Sequence, residues 1–220
     1  SGQIKQAYIK AMKCDDKSAF GGVLIFNRKI TTKISELILN RYFEIIIAPG
    51  FENKSIANFK NKKNLILINS KKINSKEKIN SRSIRGGYIV QKINNNKITK
   101  KNFTIESKNK KISTKEFEDI VFAFKVVKHT KSNAIVLVKN KQTLGIGAGQ
   151  MNRYDATRIA LMKYKDNFKV KNYICASDAF FPFTDSLKIL FKNQCKCVVQ
   201  PSGSINDKNI IKYADTNNIK

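Results

Sequence analysis

Apolar residues along this chain occur in two patterns, short continuous runs and repeats with helical spacing. Mostly apolar runs of four to six residues, which are typical of buried strands, lie at 23–26, 42–47, 65–68, 134–138, 173–176 and 197–200. Repeats with helical spacing predict helices over 3–14, 52–61, 113–128, 185–193 and 206–218, with two more opening near Thr31 and Arg153. Because strands and helices alternate and no long hairpin pattern appears, the sequence predicts a layered α/β/α fold with helices covering a mostly parallel sheet.

Residues 92–111 have the weakest pattern and are the candidate boundary between two similar halves, 1–112 and 113–220. Before this boundary, residues 69–83 are rich in lysine, asparagine and serine and are predicted to be a loop. Residues 83–91 then form a predicted strand that is entered through paired glycines.

The composition is strongly basic, with a formal net charge of +27 over 220 residues. A basic protein of this size can bind nucleic acid, because neutralising phosphates is strong and independent of sequence. The positive charge is nearly all lysine, however, whereas proteins that read nucleic acid favour arginine for two-pronged contacts. We therefore interpret the lysines as a solvated surface and expect no nucleic-acid partner. A lysine-rich nucleic-acid-binding module without catalysis is the alternative.

Hydropathy and cysteine usage bear on the location of the protein. No apolar run approaches the roughly 18 residues that span a bilayer, so no membrane partner is expected. No signal-peptide pattern opens the chain, which favours the cytoplasm. Four cysteines without a C-x-x-C pair indicate buried thiols rather than a disulfide framework. Cys195 and Cys197, two residues apart in a strand, are expected to point to the same face.

The stretch 130–158 is the densest in candidate functional residues. A strand is followed by Gly145, Gly147 and Gly149 at alternate positions, and Arg153 then opens a helix. Glycines let the backbone approach a ligand closely, and a helix start offers N–H groups and a positive dipole end to an anionic or polar group. The spacing matches neither the dinucleotide fingerprint nor the P-loop, so a tight strand-to-helix corner without a ligand is the alternative.

Three other places carry unusual chemistry. Residues 177–185 place three phenylalanines and a proline between two aspartates, which favours a flat aromatic wall for a heterocycle with carboxylates for its N–H groups. A hydrophobic staple before the next helix is the alternative. The turn 201–204 puts backbone donors at another helix start. Glu44 interrupts an apolar strand, where a buried carboxylate needs a partner.

Seven short motifs, taken together, resemble one enzyme family. In chain order they are Ser-Ala-Phe-Gly-Gly, Ile-Ala-Pro-Gly, Ser-Ile-Arg-Gly-Gly, Lys-Ser-Asn-Ala-Ile, Gly-Ala-Gly-Gln-Met-Asn-Arg, Ser-Asp-Ala-Phe-Phe-Pro-Phe and Gln-Pro-Ser-Gly-Ser. The chain resembles the transformylase part of the bifunctional purine biosynthesis enzyme, AICAR transformylase/IMP cyclohydrolase. The resemblance implies transfer of a formyl group from 10-formyltetrahydrofolate to the amino group of AICAR, the penultimate step to IMP. It also implies two cytidine-deaminase-like halves and a homodimer with shared sites.

The resemblance assigns residues of this chain to two ligands. Those expected to contact the AICAR nucleotide are Gly21, Glu44, Asn133, Arg153 and Phe180, and those expected to face the folate are Tyr154, Asp185, Ser204 and Ile205. Asn133 is also expected to be catalytic, by orienting the carboxamide or amine of AICAR. Arg153 is expected to supply charge or a fork for the nucleotide, and Asp185 to accept N–H bonds from the pterin.

The chain departs from the family in one respect. The AICAR amine is a poor nucleophile, and the family activates it with a Lys-His pair in a Lys-His-x-x-Pro-Cys-Gly motif. That motif aligns before Ser1, so we expect this chain to be an internal fragment without the pair, the C-terminal tail or the cyclohydrolase domain, and inactive alone. Residues 128–129 are also Lys-His but lie beside the Lys-Ser-Asn motif, and a lone histidine ending an apolar helix is more often structural.

The sequence and the resemblance together limit the expected metals. The zinc signature of nucleobase deaminases, His-x-Glu with Pro-Cys-x-x-Cys, is absent from the sequence, so both a deaminase and a zinc site are disfavoured. The family can hold a monovalent cation near 127–132 and Asp178, and the resemblance allows one here.

Overall fold

The computed structural model describes residues 3–17, 19–70, 78–95 and 98–220. Their contacts divide the chain into two compact units, Ser1–Ser18 with Ile98–Lys220, and Ala19–Lys97. The predicted boundary at residue 112 concerns two related halves rather than these contact units, and it stays a prediction.

Helices and strands follow one another along the described residues as a mixed α/β chain. The helices are α1 (Ile4–Lys13), α2 (Thr32–Leu39), α3 (Asn53–Phe59), α4 (Thr114–Lys128), α5 (Arg153–Asn167), α6 (Asp185–Lys192) and α7 (Asp207–Thr216). The strands are β1 (Gly22–Ile25), β2 (Phe43–Ala48), β3 (Ile66–Asn69), β4 (Ile79–Ile84), β5 (Gly87–Lys92), β6 (Ile135–Lys139), β7 (Gln142–Gly147), β8 (Tyr173–Ser177) and β9 (Cys195–Val199). A short 3-10 turn occupies Lys100–Asn102. No helix among these residues is long and apolar enough to cross a bilayer.

The unit Ala19–Lys97 contains a three-stranded parallel sheet in the order β1-β2-β3. Ile46 and Ala48 of its central strand are fully buried. Helix α2 was expected to be capped by Thr31, but that hydroxyl makes no cap hydrogen bond. The carboxylate of Glu52 instead accepts the Thr32 N–H at 2.8 Å and the Thr32 hydroxyl at 2.9 Å, so the cap comes from the next helix start.

One face of this sheet is aliphatic and open. The strand register aligns its side chains in two rows, Val23, Ile45 and Ile66, and Ile25, Ile47 and Ile68. The outer residues of the rows are between 42% and 74% exposed. Parallel sheets are ordinarily covered on both faces, and the residues that the structure describes leave this face uncovered.

The hairpin β4–β5 corrects the prediction of a loop over 69–83. Residues 79–83 are strand, residues 71–77 lie outside the described part of the chain, and the predicted strand 83–91 is interrupted by a turn at 85–86. Gly86, the second residue of the turn, has a φ of 83°, a backbone conformation that glycine adopts readily and that a type II turn requires at this position. Strand β4 is mostly polar between its two isoleucines, so its composition gave no apolar signal and backbone pairing alone defines it.

The other unit contains a four-stranded sheet in the order β7-β6-β8-β9, and here the expected layers are present. Residues from α5, α6 and α7 form one core with Ile135, Leu137 and Tyr173, whereas α4 packs on the opposite face against Val136 and Ala176. The sheet is not mostly parallel as predicted, because β6 pairs antiparallel with both β7 and β8, and only β8 and β9 are parallel.

The two cysteines of β9 lie on opposite faces of the sheet, contrary to the prediction. Cys195 belongs to the core that contains Tyr173, and Cys197 packs with Ile174 on the α4 side. The cause is a shift in the β8–β9 register between Tyr173 and Ile174, which reverses the alternation at Lys196. Both thiols are buried and free, as expected.

Gly145 and Gly147 serve packing rather than ligand approach. A Cβ on Gly145 would overlap the backbone carbonyl of Ala160, and a Cβ on Gly147 would overlap that of Ala156. Both carbonyls belong to α5, so the bare glycine backbone is what lets α5 lie directly on β7. The alternative of a tight strand-to-helix corner therefore holds for these two glycines.

Gly147→Ala is expected to lower the free energy of unfolding by roughly 1–3 kcal/mol or more, because the added methyl group must displace helix α5. Gly87→Ala is the matched control, since a Cβ there meets nothing within 4 Å. Urea denaturation followed by circular dichroism measures both. Equal midpoints for the two variants would contradict this account of the packing.

Glu116 ties the start of α4 to β9 and to the chain end. It forms a capping box with Ser113, whose N–H it accepts at 2.9 Å, and it also binds Lys196 at 2.9 Å and Lys220 at 3.0 Å. Burial by itself would raise the pKa of Glu116. The hydrogen bonds from Ser113, Lys196 and Lys220 outweigh it and lower the pKa to about 2.

Because the folded pKa of Glu116 lies below its ordinary value of 4.5, its contribution to stability is complete above pH 4.5 and is lost as the pH falls toward 2. Glu116→Gln should therefore reduce the fall in melting temperature between pH 5 and pH 2 that the wild type shows. Melting curves across this range check the prediction. Parallel pH profiles for the two proteins would refute it.

Candidate functional site

The strand directions of the four-stranded sheet bring four motif segments to one edge. Strand β6 runs against β7 and β8, and β9 runs with β8, so the start of β6 meets the ends of the other three. Asn133 precedes β6, residues 148–152 follow β7, residues 177–178 end β8, and residues 200–204 follow β9. Ligands in α/β folds collect at such strand ends, so this edge is the candidate site.

Asp178 is the hub of the edge. Its Oδ1 accepts hydrogen bonds from Arg153 Nη1 at 2.5 Å and from the Ala134 N–H at 2.9 Å, and its Oδ2 accepts the Ser132 hydroxyl. We call Ser132, Asn133, Arg153, Ser177 and Asp178 the Asp178 cluster. The sequence analysis included Ser132 only in the range 127–132 of a possible cation and assigned Ser177 to no site, although both belong to motifs at strand ends.

Arg153 is the first residue of α5, and its side chain is only 8% exposed. Nη1 donates to Asp178 and, at 2.8 Å, to the Ser177 hydroxyl, while Nη2 donates to Asn133 Oδ1 at 2.9 Å. Three of the five guanidinium N–H groups are thus used. The Nε–H and one Nη2–H have no acceptor among the described residues.

Asn133 is held with its amide in one orientation. Its Nδ2 donates to the backbone oxygens of Gln150 at 2.9 Å and Met151 at 3.2 Å, and its Oδ1 accepts from Arg153. Both amide donors are therefore occupied. One lone pair of Oδ1 is left, so this side chain can accept a further hydrogen bond but cannot donate one.

The electrostatics keep Asp178 ionised. Burial by itself would raise the pKa of Asp178, but hydrogen bonds from Ser132, Arg153 and the Ala134 N–H, with the positive charge of Arg153, outweigh it and lower the pKa. A deprotonated Asp178 in turn holds the positive charge of Arg153 in a buried position.

Tyr154, one of the expected folate residues, is on α5, and the other three, Asp185, Ser204 and Ile205, lie on or directly after two loops that are tied together. Asn206 Nδ2 donates to the Pro182 oxygen at 2.8 Å, and the Phe181 N–H donates to Gln200 Oε1 at 2.9 Å. These bonds join the loop that leads to Asp185 to the loop that carries Ser204. The backbone N–H groups of Gly203 and Ser204 already donate to the Asp207 carboxylate. Contrary to the prediction, they are therefore not free to bind a ligand.

The aromatic loop divides between core and surface. Phe181 is fully buried in the core that contains Leu187 and Leu190, whereas Phe180 is 40% and Phe183 is 63% exposed. Tyr154 is 37% exposed and Ile205 is fully exposed. Phe181 thus packs against the helix that follows, and an aromatic wall for a heterocycle stays a prediction.

Gly21 and Glu44 lie together in the unit Ala19–Lys97. Gly21 has a φ of 72°, and a Cβ there would come within 2.8 Å of Glu44 Oε1. The Gly21 N–H donates to the Tyr42 oxygen at 3.2 Å. Glu44 is exposed rather than buried in its strand, so it needs no internal partner, contrary to expectation.

The monovalent cation expected near 127–132 and Asp178 stays a prediction. The Asp178 carboxylate already accepts three hydrogen bonds, one of them from a guanidinium, and the Lys131 oxygen accepts the Gly149 N–H at 2.7 Å. These oxygens fit a cation poorly, and we derive no step through one. Within the described ranges, no group of three or more His, Cys, Asp or Glu side chains is placed to hold a metal ion.

Comparison with known proteins gives a consistent result. The family model described as "AICARFT/IMPCHase bienzyme" matches residues 1–163. The bifunctional purine biosynthesis protein PurH of Wigglesworthia glossinidia brevipalpis is 41% identical over 98% of this chain and 41% of its own length. PurH of Fusobacterium nucleatum is 41% identical over 98% of this chain and 42% of its own length, and PurH of Aquifex aeolicus is 36% identical with the same coverage. The chain spans about two fifths of the length of these relatives.

Gly21→Ala is expected to destabilise the protein by about 1 kcal/mol, because alanine resists the left-handed backbone that Gly21 adopts. It should also displace the Glu44 carboxylate. Gly22→Ala is the control, since Gly22 has no such backbone and its nearest neighbours are at 3.6 Å. Thermal melting measures the difference between the variants. A melting temperature for Gly21→Ala no lower than that of Gly22→Ala would contradict the prediction.

Proposed function

This chain belongs to the AICARFT/IMPCHase bienzyme family, and we propose that it forms the ligand-binding body of the transformylase. The proposed reaction transfers a formyl group from 10-formyltetrahydrofolate to AICAR during purine biosynthesis. The amine nitrogen of AICAR attacks the formyl carbon, the bond from that carbon to N10 of the folate breaks, and a proton passes from the amine to the folate.

The observation that carries the proposal is the Asp178 cluster. It presents one edge of the Arg153 guanidinium and one lone pair of Asn133 Oδ1 at the same sheet edge. A guanidinium edge with two parallel N–H groups matches an oxyanion of a nucleotide. Asn133 supports the proposed role by accepting an N–H from the AICAR amine or carboxamide, since its own donors are occupied.

The remaining assigned residues support a second ligand beside the first. Tyr154 follows Arg153 on α5, and Phe180 follows Asp178 by two residues, so both adjoin the Asp178 cluster in the chain. The bonds between the 180–185 and 200–206 loops bring Asp185 toward Ser204 and Ile205. Exposed ring faces and a carboxylate are the groups that a pterin requires. Gly21 and Glu44, which adjoin each other, are also proposed to contact AICAR.

The order of elements supports two related halves. Two series of five elements follow the same order of helix, strand, helix, strand and helix. The first series is α1, β1, α2, β2 and α3, with starts at residues 4, 22, 32, 43 and 53. The second series is α5, β8, α6, β9 and α7, with starts at residues 153, 173, 185, 195 and 207. Corresponding spacings in the two series differ by at most two residues. Each series contains one parallel strand pair, and each pair has a register shift directly after its first residue. We propose on this basis that both series are copies of one deaminase-like half, and that the protein forms a homodimer as the resemblance implies.

Isothermal titration of this chain with AICAR and with a non-reactive 10-formylfolate analogue tests the proposal. Arg153→Ala should weaken AICAR binding about 10- to 100-fold, the value of a hydrogen-bonded charge of about 1.5–3 kcal/mol. Asp185→Ala should weaken binding of the folate analogue and leave AICAR binding unchanged.

Two matched variants control for loss of surface charge. Arg158→Ala removes a 65% exposed arginine from the same helix as Arg153, and Lys188→Ala removes an exposed charge from the helix of Asp185. Both should leave the two affinities unchanged. If Arg153→Ala and Asp185→Ala behave like their controls, the site assignment is wrong.

A further inference from the structure

The resemblance allows a monovalent cation near Asp178, but neither the resemblance nor the comparisons give Ser177 or the Asp178 carboxylate a role as partners of Arg153. Asp178 is only 15% exposed and Ser177 is fully buried, so neither side chain is well placed to contact a ligand itself. Both nevertheless bind Nη1 of Arg153. Their contribution to the site therefore has to pass through that guanidinium.

The geometry around Arg153 leaves one orientation. Nη1 is fixed by two acceptors at the end of β8, and Nη2 is fixed by Asn133 before β6. Ser177 is itself held, because its hydroxyl donates to the Ala179 oxygen at 2.6 Å. Rotating the guanidinium would break three hydrogen bonds of a buried charge. The Nε–H and the second Nη2–H are consequently the N–H groups that remain for a ligand among the described residues.

We propose that Asp178, supported by Ser177, is a positioning residue that sets the guanidinium of Arg153 and, through it, the amide of Asn133. Asp178 fixes which edge of Arg153 remains for the oxyanion. Arg153 in turn donates to Asn133 Oδ1 and so keeps this oxygen directed toward the guanidinium. The Asn133 amide N–H groups are then directed to the backbone oxygens of Gln150 and Met151. The ligand-binding part of this role rests on the proposed function, whereas the positioning itself does not.

Nitrogen-15 NMR of the side chains measures the positioning directly in this chain. In Asp178→Asn, the Arg153 Nη1 hydrogens are expected to exchange with solvent about tenfold faster or more, because Nη1 loses its hydrogen bond to the charged Asp178. The Asn133 side-chain amide signals should shift in the same variant. The Nη hydrogens of Arg158, which is also on α5, should not change.

Asp166→Asn is the matched control. Asp166 lies on α5, the helix of Arg153, and pairs with Lys17 at 3.1 Å on the surface. The Asp166 side chain is 41% exposed and the Lys17 side chain is 77% exposed. If Asp178→Asn leaves the Arg153 and Asn133 signals as Asp166→Asn does, the proposal is overturned. If Asp178→Asn does not fold, Ser177→Ala takes its place and should raise the Arg153 exchange rate in the same direction, by a smaller factor; an unchanged rate would again overturn the proposal.

Titration with AICAR then separates positioning from direct contact. Asp178→Asn should weaken AICAR binding, and the double variant with Arg153→Ala should bind no more weakly than Arg153→Ala alone, because Asp178 acts through Arg153. Additive losses would show that Asp178 contacts the ligand itself and would overturn the positioning role. If Arg153→Ala has no effect on AICAR, the proposed function loses its site while the NMR result still decides the positioning.

Discussion

The buried ion pair between Arg153 and Asp178 is the interaction on which the candidate site depends. The two side chains are 8% and 15% exposed, and removing one partner of a buried pair leaves an uncompensated charge that costs about 3–5 kcal/mol. The pair joins the first residue of α5 to the end of β8, and the Ala134 N–H adds the start of β6. A single carboxylate thus holds together three segments that are distant in sequence. A rearrangement of this sheet edge would leave the charge of Arg153 or of Asp178 either exposed or buried without its partner.

Much of the fold can be predicted from the sequence, because buried helices and strands place their apolar residues at characteristic spacings. All six apolar runs contain strands, and the Ser113–Glu116 capping box starts α4 where the pattern indicated. The failures have local physical causes. Strand β4 is polar and exposed, so it left no apolar signal, and a register shift sends Cys197 to the opposite face from Cys195. Neither feature depends on side-chain hydropathy, which is the quantity that sequence patterns report.

The site was harder to predict than the fold, because hydrogen-bond partners are set by tertiary pairing. The resemblance assigned Asn133 and Arg153 separately to a ligand, but nothing in their spacing shows that they bind each other. Their contact arises from the antiparallel β6, which places the residue before it beside the ends of β7 and β8. The same pairing occupies both donors of Asn133. Asparagine can in general donate and accept hydrogen bonds, but Asn133 in this position can only accept a further one. The residue type alone does not reveal this restriction.

The glycines of the central motif show how such a site is built at a distance from the ligand. Gly145 and Gly147 do not open the backbone to a ligand; they allow the carbonyls of Ala160 and Ala156 to approach β7. That approach fixes the axis of α5 and therefore the height at which its first residue, Arg153, meets Asp178. A bulkier residue in β7 would move the start of α5 away from the sheet and lengthen the hydrogen bonds between Arg153 and Asp178. Asp178 could not follow, because the Ala134 N–H and the Ser132 hydroxyl already hold its carboxylate. Helix packing, the ion pair and the orientation of the Arg153 guanidinium therefore depend on one another.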